Sequence, residues 1–77
     1  MKFKEKRGNT FVFDRGYAGE ELELRHSIFG ANTYSYYVNG DVILITRDLE
    51  VNCEYMPFRD IQTAVNLMQI LIKEGLV

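Results

Sequence analysis

The chain has 77 residues, of which 47% are hydrophobic and 26% are charged, and its formal net charge is −2. This balance is typical of a small globular protein and argues against a largely disordered chain. Its longest apolar run, residues 42–45, is far too short to cross a membrane. One cysteine and one histidine exclude both an internal disulfide and a zinc site built from several such ligands.

The N-terminal segment, residues 1–7, is basic, but no apolar stretch of the kind found in signal peptides follows it. Together with the lone cysteine, this predicts a cytoplasmic location. Lysines also keep sheet edges soluble, so the basic segment is typical of an edge strand.

The only proline, Pro57, separates a strand-rich part of the chain from a helical part. Runs of β-prone residues cover positions 2–6, 9–15, 20–29, both arms of 33–46, and 51–55. The outermost runs are the weakest signals. Strands followed by a helix predict an α+β fold. We therefore expect one domain over residues 1–77, with a four- to five-stranded, mostly antiparallel meander and one C-terminal helix on one face.

The segment 33–46 carries the clearest structural signal, because Asn39-Gly40 joins two β-prone runs. This dipeptide favours a type I′ turn, in which both residues have positive φ. The turn predicts two cross-strand pairs under the helix, Tyr36 with Ile43 and Tyr34 with Ile45.

Other connections predict further pairs, because register follows the hydrophobic pattern. A loose loop around Gly8 pairs Phe3 with Phe13. A three-residue loop after Phe29 predicts three pairs on the same face: Ile28 with Tyr34, His26 with Tyr36, and Leu24 with Val38. A four-residue loop at 47–50 predicts two pairs on the opposite face: Leu44 with Cys53, and Val42 with Tyr55.

A helix of about 16–19 residues is predicted after Pro57, since apolar residues recur there at helical spacing. Either Pro57 or Asp60 marks its start, and Gly75 suits the position just after its end. The apolar positions are Ile61, Ala64, Val65, Met68, Leu71 and Ile72.

One helix covers only one face of a sheet, so the pattern leaves a second apolar face. A patch of this kind usually marks an interaction surface. We therefore expect a small cytoplasmic binding or regulatory protein whose partner is a second copy or a larger protein. The composition also suits a phage or mobile-element accessory protein. The predicted interface residues are Tyr37, Val42, Leu44, Val51, Cys53 and Tyr55.

Nucleic-acid binding is the alternative function. A basic segment can contact phosphates, and tyrosines on a sheet can stack on bases. The candidate anion contacts are Lys2, Lys4, Lys6 and Arg7, and the candidate stacking residues are Phe29, Tyr34, Tyr36 and Tyr37.

Catalysis is not expected, and neither a cofactor nor a metal is predicted. His26 has no recognisable nucleophile or substrate group beside it, and Cys53 lacks the local sequence of a catalytic thiol. The acidic group Glu20, Glu21 and Glu23 is typical of a solvated strand face. We expect His26 and Cys53 to be packed structural residues.

Overall fold

The structure is a computed structural model that describes residues 1–27, 30–52 and 55–77. The described strands form one antiparallel sheet in chain order, and the helix follows them. The elements are β1 (Lys2–Arg7), β2 (Thr10–Asp14), β3 (Glu21–His26), β4 (Thr33–Val38), β5 (Asp41–Thr46), β6 (Val51–Asn52) and α1 (Phe58–Lys73). The α+β class, the meander and the single C-terminal helix are confirmed. The sheet has six strands rather than four or five, because both outermost runs form strands.

The β4–β5 hairpin has the predicted turn and register. Asn39 has φ 52° and Gly40 has φ 83°, as a type I′ turn requires. Tyr36 pairs with Ile43, and Tyr34 pairs with Ile45. The turn therefore sets the face of every residue in the hairpin.

The β1–β2 hairpin reaches the predicted pair of Phe3 with Phe13 by a different route. Arg7 pairs with Thr10 across a tight two-residue turn, not across the looser loop that we predicted. A register shift between Phe3 and Glu5 then inserts one extra residue into β1. Such a bulge corrects the register by one position, so both phenylalanines reach the apolar face.

The β3–β4 register differs from the prediction by two residues. His26 pairs with Tyr34 instead of Tyr36, and Arg25 pairs with Ser35. The connection is longer than three residues, because the Ser27 N–H donates to the Thr33 carbonyl at 2.9 Å. A shift of two preserves the facing of each side chain. The predicted partner Ile28 lies outside the described residues.

The β5–β6 register differs by one residue, which reverses the face of β6. Asn52, not Cys53, lies opposite Leu44, and Val51 lies opposite Ile45. The turn is tighter than predicted, since the Thr46 N–H donates to the Glu50 carbonyl at 3.0 Å. Val51 consequently packs against the core. Cys53 lies outside the described residues.

The core lies between α1 and the face of the sheet that the pattern predicted. It is made of Phe11, Phe13, Leu24, Tyr34, Tyr36, Ile43 and Ile45 from the sheet, and Ala64, Leu67, Met68 and Leu71 from the helix.

Helix α1 begins directly after Pro57, which places Asp60 in its first turn rather than at its cap. Its other end is a Schellman motif. Gly75 has φ 70°, and the Leu76 N–H donates to the Leu71 carbonyl at 2.9 Å. The predicted role of Gly75 is thus confirmed.

Candidate functional site

The face of the sheet opposite α1, here called the open face, carries an apolar strip made of Tyr37, Val42 and Leu44. These residues alternate along β4 and β5 with side chains of the core, so they point away from the helix. Tyr37 is 59% exposed, Val42 is 39% exposed, and Leu44 is half-buried. Three of the six predicted interface residues therefore lie together on one surface.

The other predicted interface residues do not join this strip. Val51 faces the core, and Cys53 lies outside the described part of the chain. Tyr55 is fully exposed, in the segment that leads into α1, and has φ 58°. The exposed apolar area is therefore smaller than the sequence pattern predicted.

A groove of about 330 Å³ adjoins the strip at the β6 side of the open face. We call it the Leu44 groove. It is lined by Thr33, Leu44, Thr46, Glu50, Val51 and Asn52. Leu44 thus belongs to both the strip and the groove, which makes the two features one continuous surface.

The half of the open face built from β1 to β3 is charged. The Lys4 ammonium lies 2.5 Å from Glu21, and the Arg7 guanidinium contacts both Glu5 and Glu21. The hydrogen bond between Lys4 and Glu21 raises the pKa of Lys4 and lowers the pKa of Glu21. Both groups therefore stay ionised around neutral pH.

Val12 shows how this charged half differs from the apolar strip. It pairs with Glu5 on one side and Glu23 on the other, and it is fully buried although it faces away from α1. Long charged side chains cover apolar surface with their stems. The charged half thus screens its own apolar residue, whereas Tyr37 and Val42 stay exposed.

The basic residues proposed as anion contacts are not gathered into one site. Lys4 and Arg7 are paired with carboxylates on the open face. Lys6 lies on the helix side, with its ammonium 5.2 Å from the centre of the Phe11 ring. Lys2 lies at the other end of the same strand. These four basic residues therefore do not form one cluster.

The tyrosines proposed as stacking residues are also separated. Tyr34 and Tyr36 are buried in the core, and Phe29 lies outside the described residues. Of the stacking candidates that the structure describes, only Tyr37 lies on the open face, and the Arg25 guanidinium lies 5.5 Å from the centre of its ring.

His26 is packed and hydrogen-bonded, but beside Tyr34 and not beside Tyr36. Its ring lies 5.0 Å from the Tyr34 ring, centre to centre, and its Nε2–H donates to the Ala31 carbonyl at 3.0 Å. Glu20 is bound by Arg15 at 3.3 Å. Within residues 1–27, 30–52 and 55–77, no group of three or more His, Cys, Asp or Glu residues could hold a metal ion.

A cleft opens between β3 and β4, because their ladder ends at the pair of Arg25 with Ser35. The next opposing residues, Leu24 and Tyr36, are not paired. The cleft has a volume of about 540 Å³, within the roughly 300–1,000 Å³ typical of ligand pockets. Its walls include Leu22, Glu23 and Arg25 from β3, and Tyr36, Tyr37 and Val38 from β4. The sequence did not predict this β3–β4 cleft, because the alternation of apolar and polar residues in both strands indicates a complete ladder between β3 and β4.

The Tyr36 phenol lies at the core side of this cleft. Burial raises its pKa above the ordinary 10.0, and the negative charge of Asp60 on α1 raises it further. The positive charge of Arg15 lowers the pKa of Tyr36. Asp60 is itself buried, being only 8% exposed. Burial and the Asp60 charge in the first turn of α1 thus both favour the protonated Tyr36 phenol.

The raised pKa of Tyr36 predicts an alkaline loss of stability. Below about pH 10 the phenol is protonated in both states, so it adds no pH dependence. As pH rises further, the unfolded chain releases this proton while the folded chain retains it, and the free energy of unfolding falls until the folded pKa is passed. We expect Tyr36→Phe to show a shallower fall, measured by urea unfolding from about pH 8 to about pH 11. Equal slopes for Tyr36→Phe and wild type would contradict this assignment. Tyr17→Phe, at an exposed ring, is the control.

Comparison with protein-family models, with curated proteins and with solved structures found no match to this chain. In the part of the chain that the structure describes, no helix is long and apolar enough to span a membrane. The sheet presents two candidate binding surfaces, the apolar strip with its groove and the β3–β4 cleft.

Proposed function

We propose that this protein is a small binding protein that acts through protein–protein contact on its open face, and that the partner is a second copy of the chain. The observation that carries this proposal is that the open face holds both an exposed apolar ring, Tyr37, and an adjoining groove that ends at Leu44. A projection and a recess on one surface can complement each other across a two-fold axis. The lone cysteine suits a reducing compartment, so we place this activity in the cytoplasm.

The register supplies a specific arrangement for the two copies. Ser35 pairs with Leu44 at the middle of β4 and β5. Tyr37 and Thr33 each lie two residues from Ser35, so they are equally far from it, about 7 Å in opposite directions. A two-fold axis in the interface that crosses the strands at Ser35 and Leu44 therefore places Tyr37 of each copy over Thr33 of the other. Thr33 lines the Leu44 groove, so each Tyr37 ring lies at the groove of its partner. Leu44 meets its own equivalent at the axis.

Energetics also favour association. A single core of this size rarely supplies more than about 3–5 kcal/mol of stability. A standard interface buries about 800 Å² on each partner, more than three side chains expose. Arg25 and Glu23 must therefore lie at the rim of the contact. Charged residues at a rim contribute mainly to orientation and association rate, while the apolar centre supplies affinity.

Leu44→Asp tests the proposed dimer. This change places two carboxylates against each other at the two-fold axis, where burying unpaired charge costs several kcal/mol. We expect the wild-type mass in solution, measured by light scattering over a range of concentrations, to approach that of two chains. The variant should remain at one chain throughout this range.

Gln69→Asp is the matched control, because it adds the same charge at an exposed position of α1, on the other side of the sheet. It should associate as wild type does. A wild-type chain that stays monomeric at high concentration would contradict the dimer. Equal loss of association in Gln69→Asp and Leu44→Asp would show that net charge, and not the apolar strip, controls the contact.

A further inference from the structure

We propose that the β3–β4 cleft binds one end of an extended peptide strand from a partner protein, through backbone hydrogen bonds to Glu21 and Glu23 on one wall and Tyr37 on the other. This interaction uses backbone groups of β3 and β4, whereas the dimer uses side chains of the open face, so the two contacts share Tyr37 but can be tested separately.

The backbone of β3 directs alternate residues toward β2 and toward the cleft. The backbone N–H of His26 donates to the Asn9 carbonyl of the β1–β2 turn at 2.8 Å, and the backbone N–H of Arg15 donates to the Glu20 carbonyl at 3.0 Å. Even-numbered residues of this region therefore bond toward β2. Because the direction alternates along a strand, the N–H and C=O groups of Glu21 and Glu23 point to the other side, into the cleft.

The same reasoning applies to β4. The Ser27 N–H donates to the Thr33 carbonyl, so Thr33 and every second residue after it face β3. Ser35 makes its pair with Arg25, but the ladder ends there. The backbone groups of Tyr37 consequently point into the cleft, whereas Tyr36 and Val38 bond to β5. The β3–β4 ladder thus does not extend to these backbone groups, and each wall of the cleft presents an unpaired strand edge.

An extended peptide satisfies these groups better than a compact ligand does. Strand addition supplies donors and acceptors at the spacing of a strand edge, and it is a recurring mode of peptide recognition. The unjoined part of β3 from Glu21 to Leu24 is about 13 Å long, which matches four residues of a strand. Since β3 and β4 are antiparallel, the peptide runs antiparallel to one wall and parallel to the other.

The walls also define the side chains that the peptide needs. On the core side the cleft meets Leu22, Tyr36 and Val38, so alternate peptide residues there are apolar and β-branched. On the open-face side it meets Glu23 and the stacked pair of Arg25 and Tyr37, so the intervening residues are polar. Acidic and basic groups are both present on the walls, which favours a peptide of low net charge.

Backbone amide hydrogen exchange and peptide titration test this inference. In the free protein, the amides of Glu23 and Tyr37 should exchange at least about ten-fold faster than those of Leu24 and Tyr36, which are paired in ladders. The probe is the peptide acetyl-Thr-Val-Thr-Val-Thr-amide. On its addition, NMR signals of Glu21, Glu23 and Tyr37 should shift, and exchange at Glu23 and Tyr37 should slow.

The matched control peptide has the same sequence with N-methyl groups on both valines, and a second control has them on the first and last threonines. The N-methyl groups of one control peptide remove N–H groups that face β3, and those of the other remove N–H groups that face β4. At least one methylated peptide should bind about ten-fold more weakly, because two backbone hydrogen bonds are lost. Equal binding of all three peptides would show that side chains alone make the contact and would overturn the proposal.

Protein variants separate the backbone of the cleft from its side chains. Glu23→Pro removes an N–H that faces the cleft while leaving the bonds of Leu22 and Leu24 to β2. It should lose peptide binding, whereas Glu23→Ala should keep it. Leu44→Asp should also keep it, so a failed dimer proposal leaves this one standing.

Two outcomes would overturn the inference. In the first, Glu23 and Tyr37 exchange as slowly as Arg25 and Ser35 in the free protein, which would mean that the ladder is complete in solution. In the second, exchange is fast but the unmethylated peptide shifts none of the three signals, which would mean that the cleft holds water only.

Discussion

Phe13→Ala is expected to leave most of the chain unfolded at 25 °C. Phe13 is fully buried on the core face of β2, and the Phe3 ring packs edge-on against it, with 5.8 Å between ring centres. Truncating a buried phenylalanine costs about 3–5 kcal/mol, which equals the whole stability that a core of this size rarely exceeds. Far-UV circular dichroism of the purified variant, with urea unfolding of the wild type as reference, measures the loss.

Tyr17→Ala is the control for this prediction, because it removes an aromatic ring that is 60% exposed. It should change the free energy of unfolding by no more than about 0.5 kcal/mol. If Phe13→Ala instead unfolds cooperatively with a loss below about 1 kcal/mol, then β1 and β2 contribute little to the core. The Phe3–Phe13 register would lose its energetic importance in that case.

Leu67→Ala is expected to have the second-largest effect, a loss of about 2–5 kcal/mol. Leu67 is fully buried in the face of α1 that contacts the sheet. An isolated helix of 16 residues is marginal in water, so α1 depends on this docking. The variant should therefore lose helical signal and tertiary structure together in a urea titration.

Ile72→Ala is the matched control, since it also truncates an aliphatic residue of α1 but at a position that is 42% exposed. Alanine has a high helix propensity, which offsets part of the lost packing, so the change should be within about 1 kcal/mol. Equal losses in the two variants would contradict the side of α1 that we assign to the core.

Local patterns predicted those parts of the fold that depend on neighbours in the chain. Asn39 and Gly40 adopt the positive φ values that a type I′ turn needs, and this turn alone sets the register of Tyr36 with Ile43. Helical spacing identified α1, and Gly75 terminates it through its own backbone freedom. Alternation likewise assigned Tyr37, Val42 and Leu44 to the open face, because strand facing has a period of two.

Only the tertiary structure decided how strands without a tight predicted turn meet. The connection after His26 is longer than the minimum, so β3 pairs with β4 two residues away from the predicted register. One residue fewer in the turn before β6 moves Val51 from the open face to the core. A one-residue slip reverses a whole strand, and its direction depends on which loop closes best against the rest of the sheet.

The features that the sequence determined therefore differ from those that the tertiary structure decided in the range of the interactions that form them. Composition, turn chemistry and periodicity act over a few residues, and by themselves they determined the class of fold, the helix, the β4–β5 hairpin and the apolar strip. The bulge in β1, the six-strand sheet and the β3–β4 cleft depend on packing between distant segments. The cleft exists because β3 and β4 each keep their pairing with a neighbour, β2 and β5, while their own ladder stops at Arg25 and Ser35. No residue of either strand encodes that competition locally, so only the assembled sheet resolves it.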